Sequence, residues 1–162
     1  MKTTLLFLFI IMSTNAQSQE GKASTTKTTF NRETTITSTI NAQAEEVWSV
    51  ITDAKRYTEW NSTIISFEGK IEPEGKIKLV STLDPKRTFK LRVKEYDPCS
   101  KLVWGDGKGN RVFTLSENGS ATIITMTEKI GGLMFPMYAK YIPPFDESFE
   151  QFVSDLKKEV EK

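Results

Sequence analysis

The sequence predicts an α+β domain in which a curved antiparallel sheet of about seven strands wraps a long C-terminal helix, with two short helices after the first strand. Three observations carry that expectation. Ala44, Val47, Trp48 and Ile51 recur at helical spacing within 42–52. Between 64 and 129 the period drops to two, in short runs separated by turn sequences. From Phe145 onward, Phe149, Phe152, Val153, Leu156 and Val160 follow one face of a single helix.

The chain begins with Lys2, an unbroken apolar run over 5–12 (LLFLFIIM) and a small, polar stretch over 13–18 (STNAQS). That order is expected of a secretory signal peptide, assigned to 1–16, with cleavage after Ala16 or Ser18. The run is far short of the ~20 residues that span a bilayer, so no stable membrane anchor is expected and the product is secreted or periplasmic. Residues 17–31 (QSQEGKASTTKTTFN) are polar and Thr-rich, and are expected to be a flexible lead-in. The folded domain is assigned to 32–162.

Within it, 33–40 (ETTITSTI) suits a first strand. Asn41 is the expected N-cap of a helix over 42–52, with Glu45 and Glu46 at its positive end. A second helical piece is expected over 55–60. Strands are expected over 64–67, 76–83, 88–96, 101–106, 111–115 and 122–129. Phe89, Leu91 and Val93 alternate with Lys90, Arg92 and Lys94, which puts one face inward and the other in water. The turns between strands are short, which favours antiparallel hairpins over parallel crossovers. Pro143-Pro144 interrupts the chain before the last helix, leaving 131–142 as a separate helical turn or loop.

Composition narrows the chemistry. Lys plus Arg number 22 against 21 Asp plus Glu, so no broad field draws in a phosphate backbone and nucleic acid is not an expected partner. There is no histidine, which removes Ser-His-Asp and Cys-His catalysis together with His-containing zinc sites. Cys99 is the sole cysteine and forms no intramolecular disulfide. No cofactor and no metal are expected.

The segment Ile40-Asn41-Ala42-Gln43-Ala44-Glu45-Glu46-Val47-Trp48-Ser49-Val50-Ile51-Thr52-Asp53, followed by Tyr57-Thr58-Glu59-Trp60-Asn61, resembles the START-like (SRPBCC) superfamily. Within that superfamily it is similar to the polyketide cyclase/dehydrase and lipid-transport group. The likeness extends over about 33–160, because the order of elements agrees with the helix-grip fold as well. It implies a cavity between the sheet and the last helix, with a mouth near the segment leading into that helix.

That implication selects candidates. Met134, Phe135, Met137, Tyr138 and Tyr141 are expected at the mouth, where adaptable thioethers and amphipathic rings suit a gate, and Gly131-Gly132 supplies freedom to move. Trp60, Phe89, Leu91, Trp104, Phe113 and Met126 are expected on the sheet wall, and Phe145 and Phe149 on the helix wall. For each of them, simple core filling is the competing reading. No catalytic set emerges; Glu95 is the one carboxylate that alternation turns inward beside Val93, where burial would raise its pKa. Gly105-Asp106-Gly107-Lys108-Gly109 has no helix after it and reads as a hairpin turn, not a phosphate cradle. The expected function is therefore an exported protein that holds a small hydrophobic or lipid-like ligand, with binding favoured over catalysis. A cyclase- or dehydrase-type enzyme and an envelope interaction module are the alternatives.

Overall fold

The computed structural model describes residues 20–162. The expected signal peptide and residues 17–19 of the expected lead-in lie outside the described residues. Strands β1 (Ser24–Lys27) and β2 (Asn31–Ile40) come first, followed by helices α1 (Ala44–Thr52) and α2 (Tyr57–Trp60). Next come β3 (Ile64–Gly69), β4 (Lys76–Ser81), β5 (Phe89–Asp97), β6 (Lys101–Gly105), β7 (Gly109–Asn118) and β8 (Ala121–Gly131). Helix α3 (Phe135–Tyr138), a 3-10 turn at Ala139–Tyr141 and helix α4 (Asp146–Val160) complete the chain. The strands form one antiparallel sheet in the order β1-β2-β8-β7-β6-β5-β4-β3. Pairing of β2 with β8 joins the start of the domain to its last strand, so the sheet curls around α4.

Eight strands are present where about seven were expected. The extra one, β1, falls inside the segment expected to be flexible. Its backbone pairs with β2 over Ser24–Lys27, and the Thr25 hydroxyl meets both the Thr34 hydroxyl at 2.8 Å and Asp146 at 3.0 Å. Threonine favours extended backbone, and an edge strand has little surface to bury. Its polarity therefore marks an edge rather than disorder.

Helix α1 also starts later than expected. Its N-cap is Gln43, whose backbone N–H donates to the Glu46 carboxylate at 3.0 Å. The Asn41 N–H is taken instead by Glu161 at 2.7 Å. The stripe Ala44, Val47, Trp48 and Ile51 is buried as its spacing requires. In α4, Phe149, Phe152, Val153 and Leu156 face the sheet. Asp155 on the same helix accepts the Ser62 N–H at 2.9 Å and the Ser62 hydroxyl at 2.6 Å, which ties α4 to the end of α2.

An aromatic cluster forms the centre. The Trp60 and Phe113 rings stand 5.4 Å and 5.7 Å from Phe152, and Trp104 stands 5.0 Å from Phe113. Each such pair adds ~0.5–1.5 kcal/mol to its area burial. Strand β5 carries a bulge at Lys94, since Val93 pairs with Trp104 while Glu95 already pairs with Val103. The β6–β7 hairpin closes on the Asp106 carboxylate, which accepts the Lys108 and Gly109 N–H groups at 2.7 Å and 3.0 Å. No helix among the described residues is long and apolar enough to cross a membrane.

Candidate functional site

Helix α4 lies tight on the sheet from Phe149 onward, where its phenylalanines meet Trp60 and Phe113. At its N-terminal end, around Pro143 and Phe145, a gap opens between helix and sheet. The gap is a cavity of about 230 Å³. Its apolar walls include Leu79 on β4, Phe89 and Leu91 on β5, Trp104 on β6, Ile130 on β8 and Phe145 before α4. Tyr138, Tyr141 and Ile142 close the side that carries α3.

The inner wall is charged. Arg111 on β7 and Glu128 on β8 are cross-strand partners on the concave face, and both line the cavity. The Arg111 Nε donates to Glu128 Oε2 at 2.6 Å, and its Nη2 reaches the same oxygen. Each side chain is only 18% exposed. Burial to this degree makes such a pair costly to break, because removing one partner strands the other charge. The Arg111 guanidinium also stacks 5.1 Å from the centre of the Phe149 ring.

Arg32 on β2 reaches the turn before α4, donating to the carbonyls of Ile142 at 3.2 Å and Pro143 at 2.8 Å. Burial lowers its pKa, and the charges of Glu128 and Asp146 oppose that shift. At the rim Arg87 stacks 4.5 Å from Phe89, and the Lys108 ammonium sits 5.2 Å from the Tyr138 ring. Among the described residues no group of three or more Asp, Glu or Cys side chains is arranged to hold a metal ion.

Among the described residues three buried polar atoms lack a hydrogen-bond partner: Tyr57 Oη, Trp60 Nε1 and Asn61 Nδ2. Tyr57 is fully buried, with its ring 4.5 Å from Phe67 and 6.0 Å from Trp104. Burial pushes its pKa well above the usual phenol range, and the charge of Arg111 pulls it partly back.

Of the residues expected at the site, Phe89, Leu91, Trp104, Tyr138, Tyr141 and Phe145 line the cavity. Trp60, Phe113, Met126 and Phe149 do not; they fill the core where α4 meets the sheet. Phe135 is buried against Tyr138, with ring centres 5.6 Å apart. Met134 and Met137 point to solvent, at 59% and 67% exposure. Glu95 is not inside. The bulge at Lys94 resets the alternation, so Glu95 turns outward to Lys101 at 2.9 Å while Tyr96 turns inward to Trp48. A catalytic part for Glu95 has no geometric basis.

Arg111 and Glu128 were missed, although a signal existed. Arg111 shares the alternation of Phe113 and Leu115, and Glu128 that of Ile124 and Met126. Two opposite charges in inward register on strands joined by one hairpin mark an internal pair.

The fold and its cavity define a START-like domain of helix-grip architecture. The chain belongs to the family described as Activator of Hsp90 ATPase homolog 1-like protein, whose model matches residues 41–161. Among solved structures it is similar to the ZhuI aromatase/cyclase from Streptomyces sp. R1128, with TM-score 0.66 and 16% identity, covering 81% of this chain and 94% of that one. It is also similar to a START superfamily protein from Mycobacterium smegmatis, with TM-score 0.60 and 18% identity, covering 80% and 97%. A third likeness is to the conserved protein EF2215 from Enterococcus faecalis, of unknown function, with TM-score 0.63 and 14% identity, covering 86% and 77%. At these identities the likeness establishes the fold and nothing finer. No curated protein matches the chain.

Proposed function

We propose that this protein is an exported carrier that holds a small hydrophobic or lipid-like molecule between its sheet and α4. The observation behind it is the aromatic cavity that opens where α4 leaves the sheet, walled by Phe89, Leu91, Trp104, Tyr138 and Phe145. Membership of a START-like superfamily supports the same reading. At about 230 Å³ the cavity lies below the ~300–1,000 Å³ of sites for drug-sized ligands, so the cargo is a one- or two-ring compound or a short acyl chain. Export rests on the leader-like residues at the start of the sequence.

The test is native mass spectrometry of protein purified without detergent from the compartment where it accumulates. A reproducible added mass, released by organic solvent, supports the carrier and gives its cargo class. The polypeptide mass reports cleavage after Ala16 or Ser18. A clean apo mass, together with failure to take up small aromatic or acyl probes, overturns the reading.

Cyclase- or dehydrase-type catalysis needs an ionisable group inside the cavity, and Glu128 meets that condition. Its carboxylate is held by Arg111, which suits anchoring better than proton transfer. The interaction reading has its own observation. Leu133 and Tyr141 are 86% and 74% exposed along the mouth with Met134 and Met137, and Phe30 adjoins through the bond from Gly132 N–H to its carbonyl at 2.9 Å. Such an exposed apolar patch fits a protein contact. A stable dimer by sedimentation at micromolar concentration favours that reading; a strict monomer counts against it.

A further inference from the structure

We propose that the inner wall of the cavity is a polar subsite, and that the ligand is an amphiphile presenting an oxygen acceptor, a carboxylate or carbonyl, to Arg111. The inference rests on the carrier function above and specifies its ligand class. Its starting point is an imbalance of hydrogen-bonding groups. A guanidinium has five N–H donors. Arg111 uses Nε and Nη2 on Glu128, and among the described residues its Nη1 has no protein partner.

One buried group near it shares the same deficiency. The Tyr57 hydroxyl is able to donate and finds no acceptor. A buried donor left unmet is destabilising.

Register brings the parts together. Trp104 is the cross-strand partner of Arg111, and Arg111 is that of Glu128, which makes a row Trp104, Arg111, Glu128 across three strands. Tyr57 stands behind that row, against the ring of Trp104. Its hydroxyl lies close enough to Arg111 to feel the guanidinium charge. An apolar ligand body laid on Phe89, Leu91 and Trp104 therefore ends at Arg111. Glu128 fixes the guanidinium plane and neutralises part of its charge, so the free edge faces the cavity as an oriented donor.

An ion pair kept only for folding would be indifferent to the ligand's polar end. Three probes with one ring system separate the cases: 2-naphthoate, 2-acetonaphthone and 2-methylnaphthalene. Binding to the mature protein is measured by ligand-observed NMR and calorimetry. The expected result is that at least one oxygen-bearing probe binds about tenfold tighter than 2-methylnaphthalene, a difference that one charge-assisted hydrogen bond supplies. Preference for naphthoate assigns a carboxylate, and preference for acetonaphthone a carbonyl.

Arg111→Met alone strands Glu128 and risks misfolding, so the decisive variant is Arg111→Met with Glu128→Met, an apolar replacement of the kind that buried pairs tolerate. In that variant the affinity ratio between oxygen-bearing and methyl probes falls to about one. Equal binding of all three probes by the wild type overturns the subsite and leaves the carrier standing. A preference that survives in the double variant also overturns it, because the acceptor is then read elsewhere. Failure to bind any probe removes the carrier and this subsite together.

Discussion

The guanidinium of Arg32 lies 4.4 Å from the centre of the Phe145 ring while it donates to the two carbonyls just before that residue, on Ile142 and Pro143. One side chain from β2 thereby fixes the turn that launches α4, and with it one wall of the cavity. Arg32→Lys keeps the charge but loses the planar fork and the stacking. The expected loss is about 1.5–3 kcal/mol, the range for hydrogen bonds to a charged group. Urea unfolding gives the number, and faster amide exchange over 142–149 locates it. A wild-type midpoint for this variant means the fork is not holding the turn.

Leu91 lines the cavity without belonging to the aromatic centre built around Phe152. Leu91→Trp places extra volume in a space that is open, whereas overpacking a filled core costs ~1–3 kcal/mol. The expected outcome is a melting temperature close to wild type and a loss of about tenfold or more in affinity for 2-methylnaphthalene. Unchanged affinity places the ligand somewhere other than this cavity.

Much of the fold was legible because the apolar periods are strong. The stripe from Ala44 to Ile51 and the face from Phe149 to Leu156 need no partner to be read, and both are buried as expected. What was not legible depends on a partner strand. The bulge at Lys94 arises in the pairing of β5 with β6, and nothing in residues 89–97 alone marks where the alternation will slip. The edge strand β1 exists because β2 offers it a free row of backbone groups. The site was half legible for a related reason. An aromatic in inward register either fills the core or faces a cavity, and only where α4 packs on the sheet decides; Phe113 went one way and Phe89 the other. Arg111 and Glu128 were open to reading by register, but a charge is expected in water unless its mate is seen across the strand.

The buried Tyr57 hydroxyl predicts an alkaline effect. Burial raises its folded-state pKa far above the ~10 of an exposed phenol, so the folded protein resists ionisation where the unfolded chain does not. Its contribution is complete below about pH 10 and is lost progressively as pH climbs above that value. Stability should therefore fall between about pH 10 and 11.5, and Tyr57→Phe should flatten that fall. At neutral pH the same variant removes a hydroxyl with no partner, and the ligand-free protein should gain up to about 1 kcal/mol. Denaturant titrations of both proteins at pH 7 and pH 11 test the two statements together. An identical alkaline decline in the variant excludes Tyr57 as its source.

Cys99 holds a left-handed backbone conformation, φ +59°, in the tight turn where the Ser100 N–H bonds the Asp97 carbonyl at 3.1 Å. A side chain in that region costs about 1–2 kcal/mol, and glycine avoids the cost. Glycine's extra freedom in the unfolded chain returns roughly 0.4–1 kcal/mol of that. The strain relief is the larger effect, so Cys99→Gly should stabilise the protein by roughly 0.5 kcal/mol. Cys99→Val should destabilise it by 1 kcal/mol or so, because a branched Cβ tolerates positive φ worst. The thiol itself should be sluggish, since burial and the nearby carboxylates of Glu45 and Glu117 push its pKa up and thin the thiolate at neutral pH. Alkylation by iodoacetamide at pH 7 slower than that of free cysteine is the expected result. A faster reaction means that the turn opens in solution and exposes the sulfur, and in that case the glycine variant should show no gain in stability either.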